Sequence, residues 1–197
     1  MFANRRIWIT SIVLVAVGSS LFLGYRHHKR YKHWAIHDPG MVYRSAWLDG
    51  DVFKEQIETY QIRTVLNLCE PGELGEQKCL DQRAAVKGAG AKLIELPMPA
   101  TIDAGDPRVQ QFVDVLSDPN NYPLLVHCQH GVTRTAKVLS MYDILFRGKT
   151  AQQSLAAMPL FGRDEYSVSV QAFVKDFEKR HNELYPQTAH KLDVLHR

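Results

Sequence analysis

The stretch from Pro123 to Phe146 constrains the fold of this chain more than any other. Pro123-Leu124-Leu125-Val126 reads as a short buried strand, and Thr135-Ala136-Lys137-Val138-Leu139-Ser140-Met141-Tyr142-Asp143-Ile144-Leu145-Phe146 carries apolar residues at helical spacing. Between them lies the loop His127-Cys128-Gln129-His130-Gly131-Val132-Thr133-Arg134. A strand that passes through such a loop straight into a helix belongs to an α/β sheet, and ligands in open sheets of that kind bind beyond the carboxyl ends of strands. The first N–H groups of a helix have no intrahelical partner and its N-terminal end is positive, so this loop favours an anion such as phosphate.

The remaining pattern agrees with an α/β layout. Strands are expected at 41–46, 64–69, 92–98 and 124–128. Helices are expected at 50–61, 76–89, 107–117, 134–147, 151–158 and 167–183. Strands alternating with helices imply a mostly parallel central sheet flanked by helices. Gly148 is placed to close the helix after the loop and Thr150 to open the next. With 197 residues the chain is long enough for one domain with a sizeable core. The net charge of +3 is uneven: six of the 24 basic residues fall in residues 1–32, where there is no acid, and the other 18 face 21 acidic ones. The basic balance therefore belongs to the N-terminus, and no nucleic-acid partner is expected.

Ile7 to Tyr25 is nineteen residues without a charge, between Arg5-Arg6 and Arg26-His27-His28-Lys29-Arg30. That length approaches the ~20 residues needed to cross a bilayer, so the expectation is a single-pass N-terminal transmembrane helix, with membrane contact through residues 7–25. A cleaved signal peptide is the competing reading, weakened because Gly18-Ser19-Ser20 sits inside the apolar run. Basic residues on both sides leave open which side of the membrane the main domain occupies. The resulting organisation is an anchor with its basic flank at 1–32, a linker at 33–40 ending in Asp38-Pro39-Gly40, a main domain at 41–185 and a tail at 186–197. His27, His28, His33 and His37 lack cysteine or carboxylate partners at ligand spacing, so no metal site is expected.

Each residue type in the loop has a chemical use. Only a thiolate attacks, and a helix N-terminus with an arginine beside it favours that state, which is what Cys128 needs. Arg134 offers a planar fork that can grip two phosphate oxygens and stays charged. Gly131 permits a positive φ and close backbone approach. Thr135 can donate a hydrogen bond to the Cys128 sulfur, and His127 is read as holding the loop's shape.

His127-Cys128-x-x-Gly131-x-x-Arg134-Thr135 resembles the signature loop of the cysteine-dependent protein tyrosine and dual-specificity phosphatases. Met41-Val42-Tyr43-Arg44-Ser45-Ala46 and Ile62-Arg63-Thr64-Val65-Leu66-Asn67-Leu68 resemble strands of their compact bacterial branch. The resemblance covers roughly residues 40–180. It implies a dual-specificity-phosphatase-like fold and hydrolysis of phosphomonoesters through a phosphocysteine, without a cofactor. The implied substrates are phosphotyrosine, phosphoserine or phosphothreonine proteins. The phosphate-binding loop is then His127, Gln129, His130, Gly131, Val132 and Thr133 around Cys128. A phosphate-binding module without activity and a phosphatase acting on a non-protein phosphoester are the alternatives. Relatives that act on highly phosphorylated inositols have more basic loops, whereas Arg134 is the only Lys or Arg in this one.

The family also uses an aspartate upstream of the cysteine, which protonates the leaving oxygen and later deprotonates water. Asp103 and Asp106 both lie in the candidate loop. Asp106 precedes Pro107 in a helix-start pattern, which favours Asp103 as the acid and leaves Asp106 as the alternative. Some lipid phosphatases of the same architecture pair a strand-end cysteine with the nucleophile on oxidation. Cys69 is the matching position here, with an ordinary buried cysteine as the equal alternative.

Overall fold

The computed structural model describes residues 2–158 and 165–184, with side chains of the N-terminal helix described from Ile12 onward. The expected tail at 186–197 lies outside these residues. The elements run α1 (Phe2–Tyr31), β1 (Ala35–Asp38), β2 (Val42–Ser45), α2 (Gly50–Tyr60), β3 (Thr64–Asn67), α3 (Glu76–Gly88), β4 (Lys92–Glu95), α4 (Val109–Ser117), β5 (Leu124–His127), α5 (Thr133–Arg147), α6 (Ala151–Ala157) and α7 (Glu165–Leu184). A short 3-10 turn at Pro119–Asn121 precedes β5.

Five strands form one sheet in the order β1-β2-β5-β3-β4, with β1 antiparallel to β2 and the other pairs parallel. The central strands β2, β3 and β5 are buried on both faces; β5 reads as the apolar run Leu124-Leu125-Val126, whereas β2 and β3 also bury the polar residues Arg44, Ser45, Thr64 and Asn67. Val42, Leu66, Leu124 and Val126 face a core built with Phe112 and Leu116 of α4, Leu139 and Tyr142 of α5, and Phe173 and Phe177 of α7. Tyr43, Val65 and Leu125, one residue out of phase, face Phe53 and Ile57 of α2 and Val86 of α3. The two-residue period thus sorts the strand residues into two layers. β5 sits at the middle of the sheet, so the loop after it emerges between both helical layers.

Three sequence expectations change. Strand β1 occupies part of the stretch expected as linker 33–40: it is only four residues long, too short for a period to show, and the turn at Asp38-Pro39-Gly40 folds it back on β2. The helix expected from 107 starts at Val109, because the preceding turn is held by Asp106 O accepting from Val109 N at 2.9 Å.

The third correction concerns the N-terminus. Residues 2–31 do form one helix, α1, but among the described residues no helix is long and apolar enough to cross a membrane. Gly18-Ser19-Ser20 interrupts its apolar run. This overturns the N-terminal transmembrane helix, the membrane contact through residues 7–25 and the single-pass localisation. The end of α1 meets the α/β body: Arg30 pairs with Glu55 at 2.8 Å and with Asp51 at 3.2 Å, and the Tyr31 hydroxyl donates to Glu55 at 2.7 Å.

Candidate active site

The loop from His127 to Thr133 closes into a cradle because its backbone is held from two sides. On one side Leu68 N donates to His127 O at 2.9 Å; on the other Trp47 N donates to Gln129 O at 3.1 Å. Gly131 has a φ of +66°, and a Cβ there would stand 2.5 Å from Ser45 O and 2.6 Å from Ala46 N. Only glycine fits so close to β2. Arg44 of β2, 4% exposed, donates to the Gly131 carbonyl from beneath. Burial pulls the Arg44 guanidinium down to about 10, against the opposing charge of Cys128.

The cradle has a sulfur at its floor. Cys128 is buried, and its Sγ accepts from Gly131 N and from Thr135 Oγ1, both at 3.2 Å. Both donors point at the sulfur, and the start of α5 lies beside it. Val132 and Thr133 complete the cradle half-exposed, beside the half-exposed Gln129 and the exposed His130.

Arg134 is aimed by a partner that sequence reading did not single out. Glu73, in the turn after β3, takes two hydrogen bonds from Arg134: one from Nη1 at 2.6 Å and one from Nη2. Arg134 Nη1 also donates to Leu68 O at 3.3 Å. The Nε–Nη2 edge of the guanidinium keeps its hydrogens free of protein acceptors among the described residues. That edge is a two-pronged donor suited to a phosphate. Burial weighs against the charge on Arg134, but the ion pair with Glu73 and the charge of Cys128 hold it firmly protonated. Glu73 is held below the usual carboxylate range by the hydrogen bonds from Arg134. Its one signal in the sequence is an acid in a Pro-Gly turn, Glu70-Pro71-Gly72-Glu73, after a strand beside β5.

His127 is fully buried, and a chain of donors fixes its state. Cys69 N donates to Asn67 Oδ1 (2.9 Å), Asn67 Nδ2 to Gln82 Oε1 (3.1 Å), and Gln82 Nε2 to His127 Nε2 (2.7 Å). His127 Nε2 is therefore an acceptor, and the ring proton sits on Nδ1. Burial pulls His127 down to about 3, so the ring is neutral and serves as a support. Cys69 is half-buried, and burial, then the charge of Glu73, push its thiol up to about 12. All three cysteines are free.

Among the described residues neither Asp103 nor Asp106 bonds to Cys128, Arg134 or Thr135. Asp103 is exposed and lines a groove with Asp106, Phe173, Asp176 and Arg180. Asp106 accepts from Arg108 Nε and N, both at 2.9 Å, and these bonds hold it near 2, ionised and unable to give up a proton at neutral pH. Among the described residues no group of histidines, cysteines and carboxylates is arranged to hold a metal ion.

A buried cysteine sulfur in a strand–loop–helix cradle beside a fixed arginine defines the class: a cysteine-dependent phosphatase of the dual-specificity type. The family model described as "DSP-PTPase phosphatase fused to NAD+ Kinase" matches residues 57–176, and the chain belongs to that family. No curated protein sequence matches it. Among solved structures, a variant of P. aeruginosa TpbA in complex with pTyr is 22% identical, covering 79% of this chain and 94% of that one, with a TM-score of 0.58. The core catalytic domain of the S. cerevisiae PP-IP phosphatase SIW14, in complex with citrate, is 19% identical, with 78% and 93% covered and a TM-score of 0.57. Tk-PTP in its active form is 19% identical, with 75% and 97% covered and a TM-score of 0.55. At these identities the structural likeness speaks for the fold alone.

Proposed function

We propose that this phosphatase cleaves phosphomonoesters through a phosphocysteine on Cys128, with phosphotyrosine, phosphoserine or phosphothreonine proteins as substrates. The observation that carries this reading is the pair of donors on Sγ, Gly131 N and Thr135 Oγ1, in the loop that also presents Arg134. The phosphoryl group lies in the cradle, its oxygens on the loop amides and on the Nε–Nη2 edge of Arg134. Sγ attacks phosphorus, the P–O bond to the substrate breaks, and Asp103 gives its proton to the leaving oxygen. Water then attacks the phosphocysteine and Asp103 takes a proton back. The P–S bond breaks and phosphate leaves, while Thr135 steadies the departing thiolate. Asp106 is the weaker candidate for the acid because Arg108 already holds its carboxylate.

Neutral side chains at Gln129, Val132 and Thr133 favour a monophosphate over a densely charged phosphate cluster. The pTyr bound to the TpbA variant points the same way, whereas SIW14 is a PP-IP phosphatase. Turnover of p-nitrophenyl phosphate and of phosphotyrosine, phosphoserine and phosphothreonine peptides by the full chain tests the reading. Turnover is expected without added metal. Cys128→Ser should abolish it while phosphate or vanadate still binds. Activity that survives Cys128→Ser, or that EDTA abolishes, would overturn the mechanism. Activity confined to non-protein phosphoesters would overturn the substrate class.

A further inference from the structure

Lys137 lies on α5 three residues after Arg134, and it is completely buried. Its ammonium donates to Ala100 O at 2.7 Å, Ile102 O at 3.0 Å and Ser169 Oγ of α7 at 3.0 Å. Three N–H bonds meet three neutral oxygens, so every donor is used. The Phe173 ring stands 5.2 Å from the nitrogen. Burying a charge without a bonded carboxylate is costly, and a leucine or methionine would fill this part of a helix core more cheaply. The lysine therefore calls for an account beyond packing.

Its acceptors supply one. Ala100 and Ile102 belong to the irregular segment between β4 and α4, and Ile102 directly precedes Asp103. Inside that segment the backbone offers only short turns, Ile102 N to Pro99 O and Asp106 N to Asp103 O, each at 3.1 Å. Upstream, Met98 N donates to Leu68 O at 3.1 Å and ties the segment's start to the end of β3. Past that point Ile102 and Ala104 pack into the core, and Lys137 adds the hydrogen bonds that tie the two carbonyls before Asp103 to the helix that presents Arg134 and Thr135.

We infer that Lys137 is a positioning residue that holds the Asp103 loop in register with the phosphate cradle. This rests on the reading of Asp103 as the proton donor. A reacting group displaced by ~1 Å loses about 100-fold in rate. Release of the loop should therefore weaken proton donation first and leave attack by Cys128 less affected.

The test compares kcat/KM for phenyl phosphate, a poor leaving group, with kcat/KM for p-nitrophenyl phosphate, a good one, because kcat/KM reports phosphocysteine formation and not the hydrolysis step that both substrates share. Both are measured on the same preparation of the full chain, so the ratio is independent of how much protein is folded. Lys137→Met and the milder Lys137→Gln, which keeps two donors, are compared with Asp103→Asn and with the Lys137→Met/Asp103→Asn double variant. In both Lys137 variants and in Asp103→Asn, kcat/KM for phenyl phosphate is expected to fall at least ~10-fold more than kcat/KM for p-nitrophenyl phosphate, by the usual worth of acid catalysis. The double variant should be no more selective than Asp103→Asn alone. If Asp103→Asn is selective but the Lys137 variants slow both substrates equally, or neither, Lys137 is a packing residue and the acid assignment stands. If Asp103→Asn is itself not selective, the acid assignment fails, and this inference fails with it.

Discussion

Gly131 shows how a single position holds the cradle's shape. Its φ of +66° disfavours any side chain, and the backbone of Ser45 and Ala46 leaves no room for a methyl group. Gly131→Ala should lower stability by about 2–4 kcal/mol, read from urea unfolding, and should reduce turnover by displacing the amide that faces Sγ. A second prediction concerns Glu73. Glu73→Gln removes the charge that fixes the orientation of Arg134, so kcat/KM for p-nitrophenyl phosphate should drop about 10-fold or more. An unchanged kcat/KM would mean that Leu68 O alone aims the guanidinium. The two residues differ in how readily the sequence shows them. Gly131 stands at a fixed offset from Cys128, where its spacing says what it does. Glu73 meets Arg134 only because β3 lies beside β5 in the sheet, and nothing local in Glu70-Pro71-Gly72-Glu73 encodes that neighbour. Arg44 was visible only as part of a strand pattern; its place under the Gly131 carbonyl follows from the β2–β5 register.

Elements were legible where they are long and periodic or carry end signals. The helix after the loop was expected at 134–147 and runs Thr133–Arg147, closed by Gly148 at a φ of +60°. Thr150 opens α6 with a reciprocal pair: Gln153 N donates to Thr150 Oγ1 at 3.2 Å, and Thr150 N donates to Gln153 Oε1 at 2.9 Å. Thr150→Ala should therefore cost about 0.5–2 kcal/mol, measured as a shift of the urea midpoint at constant slope. Strand β1 was missed because four residues beside a Pro-Gly turn carry too little pattern, and its pairing depends on β2 already being in place. The nineteen uncharged residues at the N-terminus set the opposite problem. An uncharged run says that water is avoided over that stretch. The end of α1 instead docks on the catalytic body through charged groups, with Arg30 set between Asp51 and Glu55. Those ion pairs are exposed, so they add little to stability and should weaken further with salt.

At the scale of the whole molecule, buried polar groups set its response to acid. His127 faces the layer of α2 and α3, neutral, with Trp47 and Phe53 rings 5.5 and 5.1 Å away and Gln82 donating to it. Asp143 is buried at the far end of α5, where His37 (3.0 Å), Lys149 (2.9 Å) and Ser154 (2.9 Å) bond to it. Burial works against its charge, but these bonds win and hold it below the usual carboxylate range. His127 is depressed from 6.5 to about 3 on folding, so the unfolded chain binds more protons between those values. The stability that His127 contributes is thus fully present above pH ~6.5 and is lost as pH falls toward 3. Asp143 acts in the same direction, but only below its ordinary value of 3.8, so the interval from pH 6.5 to 5 isolates histidine. His181, lowered by partial burial, adds a smaller contribution of the same sign. Over that interval the free energy of unfolding should drop by about 1–2 kcal/mol, an order-of-magnitude figure from linkage applied to a buried ring. Urea denaturation of the full chain at pH 6.5 and pH 5 measures it. His127→Gln should be less stable at pH 6.5 and should lose most of the pH dependence, leaving the share that belongs to His181. A wild-type curve that is flat between the two pH values would show that the ring accepts its second proton without leaving the core. The neutral support assigned to His127 beneath the cradle would then be wrong.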